Sequence, residues 1–325
     1  MMKLTDRASK LFQQQLENDQ LNRNFRGEAA EIINGFLQNE EKVSADDLVF
    51  LGSFLRNSDW HRKGPYQSKD RKLVSAVFDH YYPRAAPGRF YHFTTFDNFR
   101  SIVDAKELRL CNLLKRKSAE FFNIFYDDHG LKGYERNDTN GKKFWEKIMQ
   151  ETFYVSFANC DTLTTDNEAT LWRNFAEKGL GVRLQFQITP RVPDFRFAHY
   201  RPEELEAKRL VINQLSKSIW ERFERVFTVS GISKMGAFYL DCNFQHETEV
   251  RLVLKANTDD YPFRFKPSPL DSKVQFIRLP FSSKYASIRL VSVQPGIMNK
   301  DKVREVISKC RIRPKPTILD NITSI

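Results

Sequence analysis

Between Tyr81 and Arg89 the chain reads YYPRAAPGR, with two prolines and a glycine in nine residues. No regular element runs through such a stretch. Proline lacks a backbone donor, the residue before it avoids helical angles, and glycine loosens the backbone. The apolar pattern changes across it. Before it, Leu11-Phe12, Leu16 and Leu21, then Ala29, Ile32-Ile33 and Phe36-Leu37, recur near helical spacing in a Gln/Glu/Asn-rich background. Ser44 followed by Ala45-Asp46-Asp47 has the form of an N-cap with first-turn acids ahead of LVFLGSFL, and a further helix is expected from Lys69 to Tyr81.

After the break, short aromatic and β-branched runs alternate with helical segments. Arg89-Phe90-Tyr91-His92-Phe93 reads as a strand, Thr95-Phe96-Asp97-Asn98 as the cap of a helix through FRSIVDAKE, and LRLCN as a second strand. A turn-rich stretch from Lys115 to Asn140 carries Asp127-Asp128-His129-Gly130 at its expected tip. KKFWEKIMQE then leads into the strand Thr152-Phe153-Tyr154-Val155-Ser156-Phe157, followed by the helix ATLWRNFAEKG and the strand GVRLQFQI. A long helix is expected from Pro202 to Phe227, then the strands EVRLVLKA, YPFRF, VQFIRL and SIRLVSV, and a closing helix from Lys302 to Cys310. The order implies an α+β fold, with an N-terminal helical region over 1–88 and a mixed strand–helix domain over 89–325. The N-terminal helices carry no catalytic pattern, and a packed, covering or partner-binding role is expected for them.

Several function classes drop out. No G-x-G-x-x-G follows a strand and no G-x-x-x-x-G-K-[ST] occurs, which removes Rossmann and P-loop nucleotide binding. There is no run of 18 apolar residues and no apolar core in the first residues, so neither a membrane span nor a secretory signal is expected. Cys111, Cys160, Cys242 and Cys310 are too dispersed for an ordinary zinc ribbon or redox pair and suit a reducing cytoplasm. The formal charge is +11, and residues 260–325 hold 13 Lys/Arg against 5 Asp/Glu. A phosphate backbone or other polyanion would select such a bias; a merely soluble basic surface would also produce it.

Three clusters can carry chemistry. His92 and Thr94 share one side of an aromatic strand, Tyr154 and Ser156 share one side of another, and Glu247, Glu249 and Arg251 fall on one side of HETEVR if that segment is extended. Each has a plain alternative: a hydrogen-bonded core histidine, a packed tyrosine with a small filler, and an exposed acidic edge. Asp127, Asp128 and His129, with the two glutamates, form a candidate Mg²⁺ site for a nuclease, although a solvated loop tip would give the same residues.

In this chain order, YHFTT, YVSFANCDTL, LWRNFAEKGLGVRLQF, HETEVRLVL and LVSVQPGIMNKDKVREVISK resemble the ADP-ribosyltransferase superfamily, and more closely a large bacterial family of unknown function that is similar to it. The resemblance covers roughly Arg89 to Ile325. It implies a split two-sheet domain that takes NAD as substrate, holds no metal, and breaks the nicotinamide glycosidic bond through an oxocarbenium-like species. It further implies Glu249 as the carboxylate beside the developing charge and Glu247 as the group that orients or deprotonates the acceptor. His92 falls at the ribose, Tyr154 at nicotinamide and Arg173 at the pyrophosphate, with Thr94 and Ser156 as further NAD-binding residues. Two features depart from the pattern. Tyr154-Val155-Ser156 replaces the S-T-S segment of arginine-modifying members, and Trp172 and Phe175 stand where a second stacking tyrosine is expected. The implied activity is mono-ADP-ribosylation of nucleic acid by a toxin or phage-defence effector, with an antitoxin-like regulator as a possible partner. Modification of protein arginine, and an inactive nucleic-acid- or partner-binding protein on the same fold, are the alternatives.

Overall fold

The computed structural model describes residues 26–37, 42–44, 70–115, 120–129, 144–201, 214, 217–218, 221–222, 232–255, 266–267, 274–297 and 299–322. They fall into two compact units. One comprises Met1–Tyr81 with Glu206–Ile232, the other Tyr82–Leu205 with Ser233–Ile325. The division falls within the proline-rich break.

In the first unit, helix α1 (residues 26–37) buries Ala29, Ala30, Ile33 and Leu37, the expected helical stripe. Asn34 on that helix bonds Val43 twice, donating to its carbonyl at 2.7 Å and accepting from its amide at 2.8 Å. Helix α2 (Asp70–Tyr81) ends where the sequence stops it. The expected Ser44 cap leads into residues outside those described, as does most of the expected Pro202–Phe227 helix.

The second unit is α+β. In chain order it contains β1 (Gly88–Thr94), α3 (Phe96–Ala105), β2 (Glu107–Asn112), α4 (Glu120–Asp128), α5 (Phe144–Glu151), β3 (Thr152–Asn159), α6 (Thr165–Phe175), β4 (Val182–Pro190), β5 (Phe195–Phe197), β6 (His199–Tyr200), α7 (Ile232–Met235), β7 (Tyr239–Leu240), β8 (Glu249–Lys255), β9 (Lys266–Pro267), β10 (Gln275–Pro280), β11 (Ala286–Pro295), α8 (Lys300–Lys309) and β12 (Thr317–Ile318). The main sheet runs β12-β11-β4-β1-β3-β2-β10-β9, with β8 beside β3 and β5 beside β8. Its pairs are antiparallel except β11 with β12, and β6 and β7 form a separate parallel pair.

Period-two alternation builds the core. Phe153, Val155 and Phe157 of β3, Leu184 and Phe186 of β4, and Val250, Leu252 and Leu254 of β8 all enter one cluster, joined by Phe99, Ile102 and Val103 of α3 and Val303 and Ile307 of α8. Thr95 caps α3 as expected, its hydroxyl accepting from the Asn98 amide, and Lys106 closes it in the left-handed region at φ 54°. α6 packs on the opposite face, where Leu171, Trp172 and Ala176 meet Phe93 and Ala158.

Strand β3 belongs to two half-sheets at once. Along one edge it pairs with β8 from Thr152↔Lys255 to Ala158↔Glu249. Along the other it pairs with β2 only at Tyr154 and Phe153, and with β1 only at Ala158 and Asn159. β1 and β2 therefore part company alongside Val155–Phe157, and α3 bridges them on the core side. This fork positions the candidate site. Among the described residues no helix is long and apolar enough to cross a membrane.

Candidate active site at the fork of the sheet

Where β1 leaves β3, the Ser156 carbonyl faces the gap. His92 meets it: Nδ1 lies 2.9 Å from that oxygen. Because the partner is a carbonyl, Nδ1 carries the proton and donates, which leaves Nε2 as an acceptor. Burial lowers the imidazole pKa to about 4 against the pull of that hydrogen bond, and the charge of Lys115 lowers it further, so the ring is neutral near pH 7. Its edge rests on Phe157, ring centroids 5.8 Å apart.

Across β3, the register sets Glu249 opposite Ala158 and Arg251 opposite Ser156, on the same face as Tyr154. Glu249, which the resemblance sets beside the developing charge, is turned inward. Glu249 is only 3% exposed, and Arg251 donates to both of its oxygens, from Nε and Nη2, each at 2.9 Å. The two are i and i+2 on one strand, so their side chains share a face and close a fork-to-fork pair. Arg251 also donates through Nη1 to the Ala237 carbonyl and lies 5.0 Å from the centre of the Tyr154 ring.

The acidic pair is not extended either. Glu247 ends a 3-10 turn, Cys242–Glu247, capped by Asp241, and Thr248 is left-handed at φ 43°, ψ 47°. That kink breaks the period-two alternation, so Glu247 and Glu249 do not follow one another along a strand face. The turn arises because the Asp241 carboxylate accepts from the Asn243 amide at 3.0 Å, competing locally with strand geometry. Both acids are buried.

Thr94 is buried at the end of β1, and Tyr154 and Ser156 are half-buried. Arg173 is exposed on α6, turned away from its buried neighbours Leu171 and Trp172. Trp172 packs edge-on to Phe93 and donates Nε1 to Glu168 at 3.1 Å, as befits a core residue. The structure thus gathers Tyr154, Ser156, Glu249 and Arg251 on one face and ties His92 to the same strand, while Arg173 stands apart.

Asp128 and His129 do not match the expected solvated loop. They close helix α4 and are buried at 6% and 2% exposure, not carried on a solvated loop tip; Asp127 alone is exposed. Asp128 accepts from Tyr239 Oη at 2.8 Å and pairs with Arg201 at 2.9 Å, while His129 Nδ1 lies 2.7 Å from the Phe125 carbonyl. These groups already serve one another, and among the described residues no cluster of three His, Cys, Asp or Glu could hold a metal ion.

One site residue was not singled out from sequence. Tyr200 of β6 accepts the Glu249 amide proton at its hydroxyl, 2.7 Å away. Burial, and then the Glu249 charge, hold its phenol well above the usual range, so it stays protonated. HYRPE carries no periodicity that would mark it. No family model, curated protein or solved structure matches the chain.

Proposed function

We propose that the chain is an NAD-dependent mono-ADP-ribosyltransferase of the cytoplasm that modifies nucleic acid, RNA or DNA, in the manner of a toxin or phage-defence effector held in check by an antitoxin-like partner. The observation that carries this reading is the fork: a neutral histidine bridges the opening in the sheet while the E-x-E segment enters the neighbouring strand. Neutral His92, with Nε2 as acceptor, suits a ribose hydroxyl. Tyr154, partly accessible, supplies a ring for nicotinamide, with Ser156 beside it and Thr94 at the end of β1. Exposed Arg173 supplies a cation for the pyrophosphate.

In the transfer, the bond between nicotinamide and ribose breaks and nicotinamide leaves with the bonding pair. An acceptor oxygen or nitrogen bonds to the same carbon, and its proton passes to a carboxylate, Glu247 in this scheme. Glu249 offsets positive charge on the ribose, for which Arg251 has to release one of its two bonds. That requirement favours a second reading, a non-catalytic nucleic-acid- or partner-binding protein in which the Glu249–Arg251 clasp is purely structural.

The test offers NAD labelled in its adenosine half to RNA, DNA and a protein extract, and follows nicotinamide release. Label on nucleic acid is expected from the wild type. It is expected to vanish in Glu247→Gln and to fall in His92→Ala, with unchanged circular dichroism for both. Label on protein instead moves the acceptor to arginine. Absence of nicotinamide release with every acceptor overturns the transferase reading in favour of the binding one.

A further inference from the structure

On β1, β4 and β11 the face that points away from the main core is apolar at one end, where Phe93 meets α6, and polar at the other, and the register lays the polar end out in rows. Arg89, Gln187 and Arg289 pair across the three strands in one row, and Tyr91, Gln185 and Ser292 in the next. A bulge between Leu290 and Ser292 keeps the second row on this face. The opposite sides of the same strands are the core residues Phe90, Leu184, Phe186, Leu290 and Val293. Arg89 and Arg289 are exposed, and neither has an acidic partner among the described residues. Neither row contains an acid. Glu168 of α6, beside this face, is neutralised by Arg183, whose guanidinium lies 4.1 Å from the centre of the Tyr91 ring.

We infer that this face binds single-stranded nucleic acid. Two unpaired guanidinium groups two strands apart, roughly 10 Å at the usual strand spacing, fit successive backbone phosphates. Glutamine between them offers both a donor and an acceptor to base edges. A duplex fits poorly: its base edges lie inside grooves, which the sheet row of Arg89, Gln187 and Arg289 does not enter. The inference rests on the nucleic-acid reading proposed above and gives its acceptor a location, but the binding itself needs no NAD.

The test is fluorescence anisotropy of a labelled 15-nucleotide single-stranded RNA with the full chain, without NAD, at several salt concentrations. The double variant Arg89→Gln/Arg289→Gln is expected to bind at least tenfold more weakly. Losing two phosphate contacts shrinks the slope of log affinity against log salt by about 1.4. Lys302→Gln/Lys309→Gln, which removes two exposed charges from α8 on the opposite side of the sheet, is expected to leave affinity within twofold. The inference is overturned if the wild type does not bind, if the two double variants lose affinity equally, if duplex binds more tightly than single strand, or if poly-glutamate competes as well as RNA. Binding that depends on Arg89 and Arg289 without NAD turnover sinks the transferase alone; turnover on protein with no RNA binding sinks this inference alone.

Discussion

An ion pair taken out of water is held together by the cost of breaking it more than by its own attraction. Glu249 and Arg251 are exposed by 3% and 1%, and Arg251 has Tyr154 and the Ala237 carbonyl as its further surroundings. Glu249→Gln leaves a buried guanidinium uncompensated and is expected to cost about 3–5 kcal/mol of stability. Urea unfolding measures it. Glu249→Gln/Arg251→Met is expected to recover most of that loss, since neither charge then stays buried. A Glu249→Gln protein as stable as wild type would mean that the pair is not closed in solution. Loss of activity in this variant is therefore interpretable only beside its unfolding curve. Acid acts on a different residue. Burial, opposed by the Phe125 carbonyl and helped by His199, lowers His129 to about 4, below the ordinary histidine value of 6.5. As pH falls the unfolded chain takes up that proton first. The contribution is thus complete above about pH 6.5, declines towards about pH 4, and is flat below, a loss of up to about 3 kcal/mol. His92, lowered likewise, titrates in the same window. Asp128 works the other way, because burial raises its carboxyl and the folded state protonates first. Comparing unfolding midpoints at pH 7 and pH 4.5 for wild type and His129→Asn isolates His129; the variant is expected to lose less stability on acidification.

At the level of elements, the close approach of backbones where β11 ends beside the start of β4 depends on two glycines. The Gly296 amide donates to the Gly181 carbonyl at 2.8 Å and the Ile297 amide to the Gly179 carbonyl at 2.9 Å, where β11 ends beside the start of β4. A Cβ on Gly296 would overlap the Gly179 and Gly181 carbonyl oxygens, and one on Gly181 would overlap the Thr94 oxygen. Backbone has nowhere to retreat at such a junction, so Gly296→Ala is expected to cost about 3 kcal/mol. Gly88→Ala, whose new methyl would find its nearest neighbour at 3.6 Å, is expected to stay within about 1 kcal/mol of wild type. Thermal melts of the two variants compare them directly, and equal melting points would show that the junction relaxes. Strands with clean alternation, such as GVRLQFQI, and helices with a cap, such as the one Thr95 starts, were legible because their signals are local. The fork was not. Nothing in YHFTT or YVSFAN says that β1 stays with β3 for only two register pairs, since that is decided by which neighbours compete for one edge. The kink at Thr248 was hidden for a related reason. HETEVR alternates on paper, and only the Asp241 cap upstream turns its first half into a helical turn.

At the scale of the whole molecule, the chain leaves the second unit at Glu206 and re-enters it at Ser233, and the excursion groups with Met1–Tyr81. Within that first unit Arg222 pairs with Glu28 at 2.8 Å, a half-exposed contact worth little by itself. The stronger argument is topological. β6 and β7, on either side of the excursion, are paired, and the Arg201 amide donates to the Leu240 carbonyl at 2.7 Å, so the strands that flank the excursion lie side by side. A segment between two paired strands can be replaced by a linker without stretching the sheet it interrupts. Deleting residues 1–81 alone leaves 206–232 without the rest of its unit, and rapid tryptic cleavage at the Lys and Arg residues of that segment is expected. Deleting 1–81 and also replacing 206–232 by a short Gly/Ser linker is expected to restore resistance and a single cooperative melt. The sheet, its core cluster and the fork all lie in what remains. Limited proteolysis read by mass spectrometry, with a calorimetric scan of each form, decides the matter. If the doubly shortened chain melts without cooperativity, the strand domain needs the helical unit to fold, and the first 81 residues are part of the scaffold that holds the site in place. If it melts as one unit and still releases nicotinamide or binds RNA, the helical unit is an attachment to a complete functional domain.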